Sequence, residues 1–288
     1  MKNPALPPAL SALADETGVF TMLAIDQRES LRTMMSDRVA GRAVDDIELV
    51  RFKTAASELL TPLATAVLLD RSYGLPAVAV ARCPVILAAD ELIQLPGGPV
   101  TSSRLDPAVT PGLVAEVGAA ALKMLIAWTP DTRHAAVELT SEFMALCRAA
   151  RVPGIVEGVV RPIDIDEWDD TRRNDAIVQA AGDLAASRPD LYKGEVPSYG
   201  RAAPATMTRV SEQITAVLDS PWVILSSGVA ATDFPTAVNA CCAGGASGFL
   251  AGRAVWSDAF TTPDVRHFLA TESRARLGRL AAAARLPR

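Results

Sequence analysis

Residues 154–159, Gly154-Ile155-Val156-Glu157-Gly158-Val159, and residues 190–197, Asp190-Leu191-Tyr192-Lys193-Gly194-Glu195-Val196-Pro197, are short apolar runs separated by an amphipathic segment over 172–187. Each run has the length and composition of a buried strand, and the segment between them repeats its apolar residues at three- and four-residue spacing, as a helix does. Strand, helix, strand is the unit that joins neighbours in a parallel sheet. The rhythm extends in both directions. Further strand-like runs fall near 19–25, 66–69, 85–88, 122–127, 222–226 and 248–251, with amphipathic segments over 45–60, 133–150 and 204–218. About eight such units predict an α/β protein, a (β/α)8 TIM barrel forming a single domain over the whole chain, with a doubly wound open sheet as the alternative. No stretch of linker composition divides the sequence, and Leu95-Pro96-Gly97-Gly98-Pro99 reads as a turn inside a βα connection.

The chain has 288 residues, half of them hydrophobic (50%), enough for a large core. Its formal net charge of -5 gives no general attraction to nucleic acid or to anionic membranes, so any anionic ligand must be met by local cations. No apolar run is long enough to span a bilayer, and the first residues, Met1-Lys2-Asn3-Pro4-Ala5-Leu6-Pro7-Pro8, lack the features of a secretory signal. Cys83, Cys147, Cys241 and Cys242 show no framework spacing; packing in a reducing cytoplasm is the expectation. The arginine-rich end, with Arg274, Arg276, Arg279, Arg285 and Arg288 set among alanine and leucine, reads as a solvated helix face available for a subunit contact.

Three ionisable residues stand where core side chains are expected: Lys123 in Ala121-Leu122-Lys123-Met124-Leu125-Ile126, Glu157 in the run at 154–159, and Lys193 in the run at 190–197. A buried ammonium without a partner is costly and is driven towards its neutral, nucleophilic form. Two lysines and a carboxylate at strand positions therefore point to Schiff-base chemistry on a carbonyl compound. A purely structural Lys-Glu-Lys network is the competing explanation.

In a barrel the reactive groups project from the C-terminal ends of the strands. The first strand ends in Asp26-Gln27-Arg28-Glu29, the second in Asp70-Arg71 and the third in Asp90-Glu91. Charges at such ends also occur simply because the chain is reaching water. Ser226-Ser227-Gly228 follows the seventh strand and Gly252-Arg253 the eighth, where barrels commonly hold phosphate, and their glycine, hydroxyl and guanidinium groups suit an oxyanion. His134 and His267 lie in helical segments without paired-ligand spacing, so neither a metal nor another cofactor is expected. A barrel that binds sugar phosphates without turning them over would keep the phosphate loops but has no use for the buried lysines. A dinucleotide enzyme would need a glycine-rich turn where Asp26-Gln27-Arg28 stands.

Taken in this order, Ala24-Ile25-Asp26-Gln27-Arg28-Glu29-Ser30-Leu31-Arg32, Lys123, Glu157, Tyr192-Lys193-Gly194-Glu195-Val196-Pro197, Ser226-Ser227-Gly228 and Ala251-Gly252-Arg253 resemble the class I aldolases of the tagatose-bisphosphate and sulfofructosephosphate aldolase group. The resemblance implies that Lys193 forms the imine, that Glu157 is the acid and base, and that Lys123 and Asp26 support them. It implies that Ser226, Ser227, Gly228, Gly252 and Arg253 clamp the phosphate of a sugar phosphate, and that the protein is a homo-oligomer. The compact length and the run Tyr192-Lys193-Gly194-Glu195-Val196-Pro197-Ser198-Tyr199-Gly200 look closer to the sulfofructosephosphate branch, although Gly194 stands where a bulkier residue is expected. The substrate so implied is 6-deoxy-6-sulfofructose 1-phosphate, cleaved to dihydroxyacetone phosphate and 3-sulfolactaldehyde, with tagatose 1,6-bisphosphate as the alternative. A second anion then needs a site at the far end of the pocket, for which Gln27 and Arg28 are the candidates and Arg71 a weaker one.

Overall fold

The computed structural model describes residues 6–38, 43–94, 100–161, 168–226 and 228–286. In chain order the strands are β1 (Phe20–Ile25), β2 (Val67–Leu69), β3 (Val85–Ala88), β4 (Asp90–Gln94), β5 (Val100–Leu105), β6 (Ala121–Trp128), β7 (Gly154–Val160), β8 (Leu191–Glu195), β9 (Trp222–Leu225) and β10 (Gly248–Ala251). Eight of them close into a barrel in the order β1-β10-β9-β8-β7-β6-β3-β2, while β4 and β5 form a separate two-stranded sheet. All the barrel pairings are parallel. The protein is a TIM barrel, and all eight strand-like runs read from the sequence are its staves.

The helices obey local rules. Asp45 caps Asp46–Leu60 through a reciprocal pair, its carboxylate accepting from Glu48 N at 2.8 Å while its own N–H donates to the Glu48 carboxylate at 3.2 Å. Asp169 caps Asp170–Ala185 by accepting from Arg172 N at 2.7 Å, so this helix starts two residues before the sequence periodicity becomes clear. Helix Pro111–Val117 ends on Gly118, whose φ of 66° lies in the left-handed region that glycine enters without strain.

The outward faces of the strands pack against the helices, and a second apolar cluster fills the barrel interior with Phe20, Met22, Leu68, Ile86, Ile155, Leu191, Val223 and Leu250. Leu10 and Leu13, from the segment preceding β1, belong to that interior cluster and are fully buried, closing the barrel at the N-terminal ends of its strands. Burying a leucine completely contributes about 1.5–3 kcal/mol, so the plug is a real stabilising element.

The hairpin β4–β5 is absent from the sequence expectation, because Thr101-Ser102-Ser103-Arg104 has none of the apolar character of a barrel strand. It lies against the mouth of the barrel, where Ser103 Oγ donates to Leu125 O at 2.5 Å. The turn expected at 95–99 lies outside the described residues. None of the four cysteines is in a disulfide, and three are buried; no helix among the described residues is long and apolar enough to cross a membrane.

Candidate active site

Parallel pairing places Glu157 of β7 level with Lys193 of β8, and Leu125 of β6 level with Glu157. Side chains alternate along a strand, so Lys123, two residues before Leu125, points to the same interior. The three residues meet. Glu157 Oε2 lies 2.6 Å from Lys123 Nζ and 3.1 Å from Lys193 Nζ. Two aspartates complete the group, with Lys123 Nζ 3.2 Å from both Asp26 Oδ2 and Asp90 Oδ2. Lys123 is 1% exposed, Lys193 4% and Glu157 5%.

The buried lysines are thus not isolated cations, as their apolar neighbours in the sequence suggest, but members of a network with three carboxylates. Burial alone would lower the Lys123 ammonium; Asp90, Glu157 and Asp26 outweigh it and raise Lys123 above the ordinary lysine range. Burial would likewise raise the two carboxyls, yet Lys123 and Lys193 hold Glu157 below its usual value and, with Arg28 and Lys53, bring Asp26 down to about 2. Lys123 is accordingly a fixed cation, and Glu157 rests as a carboxylate that touches both lysines.

A cavity of ≈ 220 Å³ opens above this network, with Asp26, Gln27, Lys123, Glu157, Lys193, Ser226, Gly252 and Arg253 on its wall. The structure therefore brings eight of the expected site residues together. Gly228 lines a neighbouring cavity that shares Ser226 and Arg253 with the first, and Ser227 lies outside the described residues. Arg28 is held by Asp90. Its Nη1 and Nη2 donate to Asp90 O at 2.5 Å and Asp90 Oδ1 at 3.0 Å, and it is not on the cavity wall. Arg71 is tied to Asp106, Nε donating to Oδ2 at 2.8 Å. Gln27 does face the cavity but borders the Gly252 turn: a Cβ on Gly252 would come within 3.2 Å of Gln27 Nε2. Glu91 makes an exposed pair with Arg104 at 2.6 Å, and His134 and His267 are exposed on helices. Among the described residues no group of three or more histidines, cysteines or acidic residues is placed to share a metal ion.

Several supporting residues escaped the sequence reading. Asp90 was visible only as a charge at a strand end, yet it is buried and organises three partners, since its Oδ2 also accepts from Leu125 N at 2.9 Å. Lys53 is fully buried on helix Asp46–Leu60 and binds Asp70 Oδ1, Ile25 O and Gln27 O at 2.5, 2.5 and 2.7 Å, fixing the chain on either side of Asp26. Its signal lay in the helix stripe, where a lysine stands beside Leu49, Phe52, Ala56 and Leu60 on the buried face. Arg161, directly after β7, also lines the cavity, as do Leu92, Gln94 and Val100 of the hairpin. Gly194 has a steric reason: a Cβ there would press to 3.1 Å from the Tyr192 ring, close to Trp222.

The arrangement can form an imine: a lysine amine, an adjoining carboxylate to carry its proton, and a separate permanent cation to hold that carboxylate. This barrel and lysine-carboxylate centre define a lyase of the aldolase class. The description "DeoC/LacD family aldolase" matches residues 20–258, and the chain belongs to that family, an aldehyde-lyase. Tagatose 1,6-diphosphate aldolase of Listeria monocytogenes serotype 4a (strain HCC23) is 30% identical over 277 residues, covering 86% of this chain and 80% of the relative. Tagatose 1,6-diphosphate aldolase 2 of Streptococcus mutans serotype c (strain ATCC 700610 / UA159) is 31% identical over 290 residues, covering 86% and 83%. Among solved structures, the fructose-bisphosphate aldolase from Slackia heliotrinireducens DSM 20476 superposes with a TM-score of 0.65 at 16% identity, over 99% of this chain and 93% of that one, a likeness of fold.

Proposed function

We propose that the protein is a class I aldolase that cleaves a ketose 1-phosphate bearing a second anion at C6, releasing dihydroxyacetone phosphate and an aldehyde. The observation that carries this reading is the sharing of Glu157 Oε2 by Lys193 Nζ at 3.1 Å and Lys123 Nζ at 2.6 Å. Glu157 takes a proton from the Lys193 ammonium, and the neutral amine attacks the C2 carbonyl. The protonated Glu157 returns its proton to the departing C2 hydroxyl, which leaves as water, and a protonated imine remains. Glu157, again a carboxylate, removes the C4 hydroxyl proton; the C3–C4 bond breaks, its electrons pass to the imine, and the aldehyde departs. The resulting enamine is protonated at C3, and water releases dihydroxyacetone phosphate and free Lys193. Lys123 keeps its charge throughout and stabilises the carboxylate at each step, with Asp26 and Asp90 fixing its position. Ser226, Gly252 and Arg253, with Gln27 beside them, hold the C1 phosphate, for which Ser227 and Gly228 supply the rest of the loop.

The names of the relatives favour tagatose 1,6-bisphosphate as the substrate. The composition of the cavity wall supports a second reading, 6-deoxy-6-sulfofructose 1-phosphate. Beyond the two lysines and Arg253, the described wall carries one further cation, Arg161, among neutral groups that include Ser30 and Gln94. A sulfonate brings one charge where a phosphate brings up to two, and needs fewer cations. Cysteines outside disulfides suit the cytoplasm, and a cytoplasmic homo-oligomer acting on free sugar phosphates is the setting this function implies. Borohydride added to enzyme and dihydroxyacetone phosphate is expected to fix the ketose covalently on Lys193; a protein that turns over substrate without forming that adduct does not use an imine. Comparing kcat/KM for the two substrates then chooses between the sugars.

A further inference from the structure

We infer that Arg161 receives the C6 anion of the substrate and is the residue that makes the enzyme require a charged group at that end of the sugar. The inference rests on the imine reading only for which end of the ketose is bound at Arg253. The two arginines first suspected of this task are engaged elsewhere, Arg28 with Asp90 and Arg71 with Asp106. The described cations on the cavity wall are Lys123, Lys193, Arg161 and Arg253. The lysines belong to the chemistry and Arg253 to the phosphate loop, which leaves Arg161.

Its position fits. Around the barrel, β7 lies directly opposite β1 and three places from β10. Gln27, after β1, adjoins Gly252, after β10, so Arg161 faces the clamp from the opposite wall, with Lys193 between on β8. A ketose bound through C2 to Lys193 with its C1 phosphate at Arg253 extends its other end towards that wall.

Arg161 is also built to present its guanidinium. Nη1 donates to Val160 O at 2.9 Å and to Glu195 Oε1 at 3.2 Å, whereas the buried Nε has no hydrogen-bond partner among the described residues. Glu195, part of the lysine motif, is itself held by Val160 N at 2.7 Å and by Arg173 Nη2 at 2.9 Å. Arg173 stacks on the Tyr199 ring, 3.6 Å from its centroid. Glu195 is thus a positioning residue: it holds Nη1 of Arg161, whose side chain keeps 17% exposure on the cavity wall. Burial and the repulsion of Arg161 both lower the Arg253 guanidinium, so the two cations oppose each other across a cavity that anions at both ends would relieve.

The test compares wild type, Arg161→Gln and Arg161→Lys on tagatose 1,6-bisphosphate, 6-deoxy-6-sulfofructose 1-phosphate, and the matching ketose 1-phosphate with a free C6 hydroxyl. Losing a charge-assisted hydrogen-bonding partner is expected to raise KM for the two C6-anionic substrates about 10- to 100-fold in Arg161→Gln. kcat, the kinetics of the C6-hydroxyl substrate and borohydride trapping with dihydroxyacetone phosphate are expected to stay at wild-type values. Arg161→Lys, which keeps a cation without the fork, should recover part of the loss. Equal damage to C6-anionic and C6-hydroxyl substrates, or weakened dihydroxyacetone phosphate trapping, would assign Arg161 to the clamp or to the fold and overturn the proposal, as would no change in KM. Failure of the wild-type enzyme to form an adduct at Lys193 would instead overturn the imine mechanism, leaving the KM comparison to judge Arg161.

Discussion

Lys123 and Lys193 touch the same carboxylate oxygen, Oε2 of Glu157, from adjacent sides of β7. One lysine is surrounded by carboxylates and the other has Glu157 as its ion-pair partner, so two chemically identical side chains stand in different electrostatic surroundings.

Replacing Glu157 by glutamine keeps the shape and removes the proposed proton carrier. General acid–base groups contribute about 10²- to 10⁴-fold, and kcat is expected to fall by that factor with little change in structure. Steady-state kinetics together with a thermal melt check this; an enzyme that keeps most of its kcat would assign the proton transfers to another group.

Asp26 gives the network an acid-sensitive component. Its folded value, about 2, lies below the ordinary 3.8, so its contribution to stability is complete above the ordinary value and is lost as pH falls towards 2. Urea unfolding at pH 5 and pH 3 should show a smaller loss for Asp26→Asn than for wild type across that window. Equal losses in both proteins would mean that Asp26 is not a principal source of the acid dependence.

Lys53→Met leaves Asp70 buried without its cation and releases the carbonyls of Ile25 and Gln27. Breaking a buried pair from one side costs about 3–5 kcal/mol, measurable by chemical denaturation. Activity is expected to fall as well, because Lys53 pins the chain on both sides of Asp26; stability near wild type would show that Asp70 finds another partner.

Gly158 is fixed by its neighbour across the sheet. A Cβ there would lie 2.1 Å from the buried Tyr192 hydroxyl, so Gly158→Ala is expected to destabilise by about 1–3 kcal/mol or more through overpacking. Gly158→Ala combined with Tyr192→Phe, which removes that oxygen, should recover much of the loss in a thermal melt.

The sequence displayed the staves of the barrel because each is a short apolar run between amphipathic helices, and the same contrast exposed Lys123, Glu157 and Lys193. It concealed partners whose roles depend on distant contacts. Asp90 is separated by 33 residues from Lys123 and by 62 from Arg28, and nothing local distinguishes it from a solvated strand end. The same holds for Arg28: beside Asp26 and Gln27 it reads as a ligand-binding cation, and only the fold brings Asp90 against it. The hairpin β4–β5 lacked apolar alternation because its strands are largely open to solvent and not packed in the core.

The plug formed by Leu10 and Leu13 has a kinetic meaning. With the barrel filled behind the lysines, the proposed reaction exchanges substrate, products and water through the mouth at the C-terminal ends of the strands. In the proposed reaction the aldehyde is free once the C3–C4 bond breaks, while the ketose fragment is still joined to Lys193, so the aldehyde has to clear that mouth first.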